Sequence, residues 1–287
     1  MARQVNQELR FCAVPGGRIA YATVGSGPPL VIPALWVSHA EHDWSEPEFR
    51  AFVGALAEHH TVIRYDRLRT GLSDRDVGEA DEVATLSALV DHLELDAFDL
   101  LGLSAGGATA LAYAAAQPAR VRSLALFGAF ADGTAVAPEP LRVAIVATVR
   151  AHWGAGSRLL ADVWLPGASA SLRERFAALQ RASASPEVAA SILEAIYATD
   201  VRALLPAVTA PTVVMHRRDD RAIPYALARD LAAALPNARL VGLDGAMHPP
   251  WLGAAKPVLA TVAAHLAGPA APDGGAPPDG ADAPDGA

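Results

Sequence analysis

Residues 98–107 of this 287-residue chain read FDLLGLSAGG, and this short stretch decides the fold. The first six residues are almost all apolar, as in a buried strand, and the run ends at Leu103. An alanine-rich segment over residues 105–117 follows and predicts a helix, because Pro118 cannot continue one. Ser104 therefore stands at a tight strand-to-helix turn, in the pattern Gly-x-Ser-x-Gly.

This setting favours a nucleophilic role for Ser104 over a glycine-rich turn in which the serine only caps the helix. Such a turn projects the hydroxyl, and its small neighbours let the strand and the helix approach closely. The free N–H groups at the helix start would stabilise a negative charge that develops beside the serine.

Outward from this turn, short apolar runs alternate with longer amphipathic runs, as in a mostly parallel sheet flanked by helices. Strands are predicted over residues 9–14, 18–24, 30–33, 62–66, 98–103, 121–127, 212–216 and 239–243, the first two as a hairpin. Further helices are predicted over residues 46–58, 82–93, 225–235 and 250–266. The predicted fold class is therefore α/β, with an eight-stranded, mostly parallel sheet.

The alternation is interrupted over residues 131–205, which are helical in character. We interpret them as a helical cap inserted into a core formed by residues 1–130 and 206–267. The cap is expected to lie above Ser104 and to set chain-length preference, with little part in the chemical step. Trp153 and Trp164 are predicted to line an apolar pocket, or else to pack the cap on the core. Residues 268–287 repeat Pro-Asp-Gly-like units, and we expect a disordered tail.

Loops after two late strands carry the groups that could activate Ser104. A serine hydroxyl needs a base to remove its proton, and a third group must orient that base. Asp219 and Asp220 follow the strand at 212–216, and His248 follows the strand at 239–243. The carboxyl ends of parallel strands share one edge of a sheet, so these side chains are predicted to lie near Ser104.

Over about residues 9–267 the chain resembles the α/β-hydrolase fold. The matching stretches are WVSH at 36–39, RYDR at 64–67, TGLSDR at 70–75, GLSAG at 102–106, DVR at 200–202 and PTVVMHR at 211–217. They resemble more narrowly a subgroup often found in actinobacteria, sometimes joined to adenylate-cyclase or transcription-regulator modules. The resemblance implies the chain order serine, acid, histidine. The Asp-x-x-x-Pro spacing usual in this fold, counted to Pro224, favours Asp220 over Asp219 as the acid.

The sequence departs from the family pattern in two places. Most members carry His-Gly after the third strand, and the N–H of the next residue helps to bind the oxyanion. Here residues 31–36 read VIPALW. If the chain is aligned on the WVSH stretch at 36–39, the resemblance implies Trp36 N–H as this oxyanion donor; if positions are counted from Pro33, it implies Leu35 N–H. The second implied oxyanion donor is Ala105 N–H. Residues 68–69 replace the usual Arg-Gly of another turn, which is expected to alter only a structural loop.

The resemblance implies a two-step acyl transfer in which Ser104 attacks, His248 is the base and Asp220 holds His248. The predicted function is hydrolysis of an ester, lactone or thioester of a medium-sized, largely hydrophobic small molecule. A serine nucleophile disfavours epoxide hydrolase and dehalogenase chemistry, which in this fold use an aspartate. Carbon–carbon bond hydrolysis and acyl transfer on the same triad stay open. So does a ligand-binding or regulatory module without turnover.

Composition limits the remaining classes. The formal net charge of −8 argues against nucleic-acid binding. No apolar run approaches the roughly 20 residues of a membrane helix, and the N-terminus lacks the apolar core of a signal peptide. Cys12 is the only cysteine, so we expect a cytoplasmic protein without an intrachain disulfide. We predict no cofactor and no metal, and interpret His39 and His42 as solvated or substrate-facing; the oligomeric state is left open.

Overall fold

The computed structural model describes residues 6–268. Its eight-stranded sheet has the order β1-β2-β4-β3-β5-β6-β7-β8. The strands are β1 (Glu8–Val14), β2 (Gly17–Val24), β3 (Pro29–Ile32), β4 (Thr61–Tyr65), β5 (Phe98–Leu103), β6 (Val121–Phe127), β7 (Thr212–Arg217) and β8 (Ala238–Leu243). The pairs β1–β2 and β2–β4 are antiparallel, and the others are parallel. The predicted mostly parallel sheet and opening hairpin are confirmed. Residues 269–287 of the predicted tail lie outside the described residues.

Ten α-helices accompany this sheet in the described part of the chain. They are α1 (Ala40–Ser45), α2 (Pro47–Leu56), α3 (Glu82–His92), α4 (Gly106–Ala116), α5 (Glu139–Ala151), α6 (Trp153–Trp164), α7 (Ala170–Ser183), α8 (Pro186–Ala198), α9 (Tyr225–Ala234) and α10 (Ala255–Leu266). The short helix α1 was not predicted. Helix α10 begins at Ala255, not at residue 250, because the residues before it form turns. None of the described helices is long and apolar enough to cross a membrane.

Both faces of the sheet are covered, which explains why its central strands are apolar throughout. Residues of α3, α4 and α9 join one core cluster, and residues of α2 and α10 join the other. All six residues of β5 are buried between these layers. Close packing of α4 depends on small residues, since a Cβ at Gly102 would lie 2.8 Å from the Cα of Gly107. The end of β5, which carries Ser104, is thereby fixed from both sides.

Helices α5 to α8 form a helical insertion between β6 and β7. Residues of α5, α6 and α8 share an apolar cluster with Trp36, Val37 and Ala105 of the core. The two ends of the insertion lie side by side, because Val201 N–H donates to Ala131 O at 2.8 Å and Asp132 pairs antiparallel with Asp200. The insertion thus leaves the core and returns to it at one place.

Candidate active site

Ser104 lies between β5 and α4 in a strained backbone conformation. Its φ of +51° is in the left-handed region, which non-glycine residues rarely adopt. Two backbone hydrogen bonds hold the turn there, from Ser104 N–H to Phe127 O at 2.9 Å and from Gly107 N–H to Ser104 O at 2.9 Å. The surrounding structure therefore overrides the local preference and fixes the position of the hydroxyl.

The structure brings Ser104, His248 and Asp220 into one hydrogen-bonded chain. Ser104 Oγ lies 2.8 Å from His248 Nε2, and His248 Nδ1 lies 2.8 Å from Asp220 Oδ2. A carboxylate can only accept, so Nδ1–H donates to Asp220 and Nε2 is left to accept the serine hydroxyl proton. This is the tautomer in which the imidazole can act as a base towards Ser104.

The Asp220 carboxylate is tightly held. Its second oxygen accepts the N–H groups of Ala222 at 2.8 Å and Ile223 at 3.3 Å. Burial alone would raise the pKa of Asp220. The net effect is nevertheless a lowered pKa, because burial is outweighed by the charge and hydrogen bond of His248, the charge of His216 and the hydrogen bond from Ala222 N–H. Asp219 points to solvent instead. Of the two candidate acids, Asp220 is the one that contacts His248.

A second histidine, which the sequence reasoning missed, lies behind the acid. His216 is fully buried at the end of β7, with Nε2 2.8 Å from Ile223 O and 3.5 Å from Asp220 Oδ2. Burial lowers the pKa of His216, so its neutral ring donates Nε2–H to the Ile223 carbonyl. The ring therefore braces the loop that carries Asp220.

Arg217, the last residue of β7, was also missed, although it is the largest fully buried side chain described. Its guanidinium lies 5.5 Å from the centre of the Phe127 ring and donates hydrogen bonds to the loop around His248. The acceptors are the carbonyls of Met247, Pro249 (3.0 Å), Leu252 (2.7 Å), Pro250 (3.4 Å) and Ala254 (3.4 Å). One side chain thus ties the strand that precedes Asp220 to the loop that bears His248.

The helical insertion contacts the base directly. His248 N–H donates to the carbonyl of Trp164 at 2.8 Å, and the two rings lie 6.0 Å apart. A carbonyl at the end of α6 thus helps to position His248, a contact between insertion and base that the sequence did not predict.

The N–H groups of Ala105, Leu35 and Trp36 make no backbone hydrogen bond among the described residues. A Cβ at Gly106 would lie 2.9 Å from Pro33 O, so the loop after β3 packs directly on the serine turn. Leu35 and Trp36 both line a cavity that contains Ser104. Ala105 thus has a free donor beside Ser104, and Leu35 and Trp36 both stay candidates for the second.

Two cavities meet at Ser104 and His248. The larger occupies about 610 Å³, including the part that is open to solvent, and is lined mainly by apolar side chains, among them Leu35, Phe176, Leu179 and Trp251. The smaller occupies about 390 Å³ on the same basis. Its lining residues are Trp36, Ser104, Ala105, Phe130, Val136, Trp164, Leu193, Ile196, Tyr197, Ala222, Ile223 and His248. Trp36 and Trp164 line both cavities, as do Ser104 and His248.

The two tryptophans predicted to line the pocket differ in position. Trp164 lines both cavities. Trp153 is among the lining residues of neither. Its ring packs edge-on against Trp36 with centroids 6.1 Å apart, and its indole N–H donates to Ala184 O at 2.9 Å. Of the two roles left open for Trp153, its contacts are those of a residue that packs the insertion against Trp36 of the core.

The other residues singled out from the sequence have local structural contacts. His39 caps α1, since its Nδ1 accepts His42 N–H at 3.4 Å.

No group of three potential metal ligands occurs among residues 6–268. The altered turn at 68–69 lies in a loop organised by Asp66, which accepts Ser38 Oγ–H at 2.7 Å and Leu72 N–H at 3.0 Å.

Comparison with known proteins places this geometry in context. Residues 30–264 match the model of the alpha/beta hydrolase family. A putative carbamate hydrolase RutD of Azorhizobium caulinodans is 27% identical over 240 residues, which is 79% of this chain and 87% of that protein. The 2-hydroxy-6-oxo-2,4-heptadienoate hydrolase of Pseudomonas putida is 35% identical over 130 residues, 44% of this chain and 46% of that protein. The solved structure of the enol-lactonase from Burkholderia xenovorans LB400 is 28% identical in sequence and superposes with a TM-score of 0.73. The match covers 90% of this chain and 100% of the enol-lactonase chain.

Proposed function

This chain belongs to the alpha/beta hydrolase family, and we propose that it is a serine hydrolase acting on an ester, lactone or thioester. The observation that carries the proposal is the continuous chain of two 2.8 Å hydrogen bonds from Ser104 through His248 to Asp220. A ligand-binding module would not need a strained serine aligned with a base and a buried acid.

In the first step, His248 Nε2 takes the hydroxyl proton as Ser104 Oγ attacks the substrate carbonyl carbon. Asp220 stabilises the imidazolium that forms, and its position keeps the ring oriented. The oxyanion lies between Ala105 N–H and the N–H of Trp36 or Leu35. His248 then gives its proton to the leaving group as the bond to the carbonyl carbon breaks, and an acyl-enzyme results.

In the second step, water enters the site and His248 Nε2 accepts one of its protons. The hydroxide attacks the acyl carbon, and the collapse of the second tetrahedral intermediate returns the proton to Ser104 Oγ and releases the acid. We assign the acyl chain to the larger cavity, whose apolar walls suit a hydrophobic group. The leaving group is assigned to the smaller cavity.

A fluorophosphonate probe tests the proposal. It should label the protein at Ser104, located by mass spectrometry, and the Ser104→Ala variant should not label. A panel of p-nitrophenyl esters, lactones and thioesters then ranks the substrate classes. Wild-type protein that neither labels nor turns over any of these substrates would instead favour a non-catalytic ligand-binding role.

Carbon–carbon bond hydrolysis is a second candidate, because 130 residues are 35% identical to a 2-hydroxy-6-oxo-2,4-heptadienoate hydrolase. A 2-hydroxy-6-oxo dienoate belongs in the same panel. Faster turnover of this compound than of every ester and thioester would assign the carbon–carbon reaction instead.

The assignment of the two cavities can be tested with one large side chain in each. Leu179→Trp narrows the larger cavity, so we expect kcat/KM for p-nitrophenyl octanoate to fall at least tenfold relative to the acetate. Val136→Trp, in the smaller cavity, should leave this octanoate-to-acetate ratio near its wild-type value and select against bulky alcohols. The reverse pattern would exchange the acyl and leaving-group cavities.

A further inference from the structure

The larger cavity is not uniformly apolar. Apart from Ser104 and His248, its lining includes one carboxyl, one amide and one hydroxyl side chain, those of Asp43, Gln180 and Ser183. All three are almost completely buried, between 1% and 6% exposed. The reaction proposed above uses none of them, so their presence in a hydrophobic pocket requires a separate explanation.

Gln180, on α7, has a carbonyl without a partner. Its Nε2 donates to Ser157 O at 3.2 Å and to Phe176 O at 3.3 Å, and these two bonds fix the orientation of the amide. Its Oε1 is buried and accepts no hydrogen bond from any described residue. A buried polar atom in this state is unfavourable unless another molecule supplies a donor.

Asp43, on α1, also has an unused oxygen. Its Oδ2 accepts His39 N–H at 3.3 Å and lies 3.8 Å from Arg64 Nη1. Within residues 6–268 no donor bonds to its Oδ1. Burial raises the pKa of Asp43 to about 7, against the opposing effect of Arg64. Near neutral pH this carboxyl can therefore serve as an acceptor or, when protonated, as a donor.

The two helices that carry these groups face each other. A small cavity of about 350 Å³ adjoining the larger one is lined by Asp43 together with Phe176 and Leu179 of α7. The end of α7 is fixed on the same side, because Gly71 N–H donates to Ser183 O at 2.8 Å. Asp43 and Gln180 thus line the same cavity, and residues of α7 next to Gln180 also lie beside Asp43.

We propose that Asp43 and Gln180 form a polar subsite for a hydroxyl group carried by the acyl chain of the substrate. This inference rests on the proposed function, since it assumes that the acyl chain occupies the larger cavity. A hydroxyl can donate to one of the two unused oxygens and also accept from a protonated Asp43. A carboxylate on the substrate would meet two acceptors and is disfavoured. An ammonium group is disfavoured because Arg64 already supplies a positive charge beside Asp43.

Matched substrates test the subsite. For wild-type protein we compare kcat/KM for p-nitrophenyl octanoate with the values for its 7-hydroxy and 8-hydroxy derivatives and for the matching methyl ethers. We expect at least one hydroxy ester to be preferred about tenfold over the plain ester, because the hydroxyl satisfies buried acceptors. The methyl ether keeps the oxygen but cannot donate, so it should not be preferred.

In Asp43→Asn and Gln180→Met, the hydroxy-to-plain ratio should fall towards one. A general loss of activity cancels in this ratio, so the test does not depend on full activity of the variants. Glu187→Gln, which removes an exposed acid on α8, is the control and should keep the wild-type ratio. A wild-type ratio of one or less for both hydroxy esters, or a preference that survives both substitutions, would overturn the subsite.

Binding separates this proposal from the proposed function. The melting temperature should rise more with at least one of 7-hydroxyoctanoate and 8-hydroxyoctanoate than with octanoate in wild-type protein. In Gln180→Met the hydroxy acids and octanoate should raise it equally. This difference does not require turnover. If it is observed in a protein that hydrolyses no ester, the subsite stands and the hydrolase proposal fails. If octanoate stabilises wild-type protein at least as well as both hydroxy acids do, the subsite is wrong.

Discussion

Replacing Asp220 by asparagine is expected to lower kcat by about four orders of magnitude. The amide is nearly the same size as the carboxylate, but its NH₂ group would favour the histidine tautomer with the proton on Nε2. That tautomer cannot accept the Ser104 proton. The variant also loses the negative charge that stabilises the imidazolium formed during attack, which the present geometry provides at 2.8 Å.

The adjacent aspartate gives a matched control. Asp219→Asn removes the same charge one residue away, but its side chain is exposed. We expect kcat to stay within about twofold of wild type, since exposed charges interact weakly across solvent. Steady-state kinetics of both variants with p-nitrophenyl acetate make the comparison. A large loss in Asp219→Asn with little loss in Asp220→Asn would contradict the assignment of the acid.

Replacing Arg217 by methionine is expected to lower kcat about a hundredfold, with a smaller change in KM. The side chain keeps its length but loses every donor to the carbonyls of the His248 loop, from Met247 to Ala254. A displacement of about 1 Å at a catalytic group can cost roughly a hundredfold in rate. Arg217→Lys should lose less, because an ammonium group retains a charge and up to three donors but not the planar geometry.

Arg218→Met is the control for this experiment, because Arg218 is exposed. Activity should be measured well below the melting temperature of each variant, since unpaired buried carbonyls also destabilise the fold. The far-downfield proton resonance of His248 Nδ1–H reports loop order independently of turnover, and we expect it to broaden in Arg217→Met. Unchanged kcat and an unchanged resonance in folded Arg217→Met would show that Arg217 does not position His248.

Much of this arrangement could be predicted from local patterns. The strand-to-helix turn at Ser104 follows from an apolar run, small residues and an alanine-rich segment, and His248 from its place after a late strand. Residues whose importance depends on distant contacts could not be found in this way. The contacts of Arg217 depend on where residues 247–254 fold, and a single arginine at a strand end carries no sign of that.

The tryptophans show the same limit. Trp153 and Trp164 are eleven positions apart in one amphipathic segment, and apolar character alone does not distinguish a cavity wall from a packing contact. The difference arises from the path of α6, whose end brings Trp164 to His248 while its start places Trp153 against Trp36. Such a path is set by packing between helices, which a local sequence pattern does not encode.

The hydrogen-bonded closure between Ala131 and Val201 has a consequence for how proteins of this design can diversify. The chain leaves the core and returns to it at adjacent points. The residues between these points can therefore be exchanged as one segment without a change in the order of the strands. A lineage could acquire a new substrate range by replacing this segment while the sheet stays intact. One connection limits that freedom. Any replacement must again place a main-chain oxygen where the Trp164 carbonyl now accepts the His248 N–H. The inserted segment can therefore vary only as long as it keeps this hydrogen bond to the catalytic base.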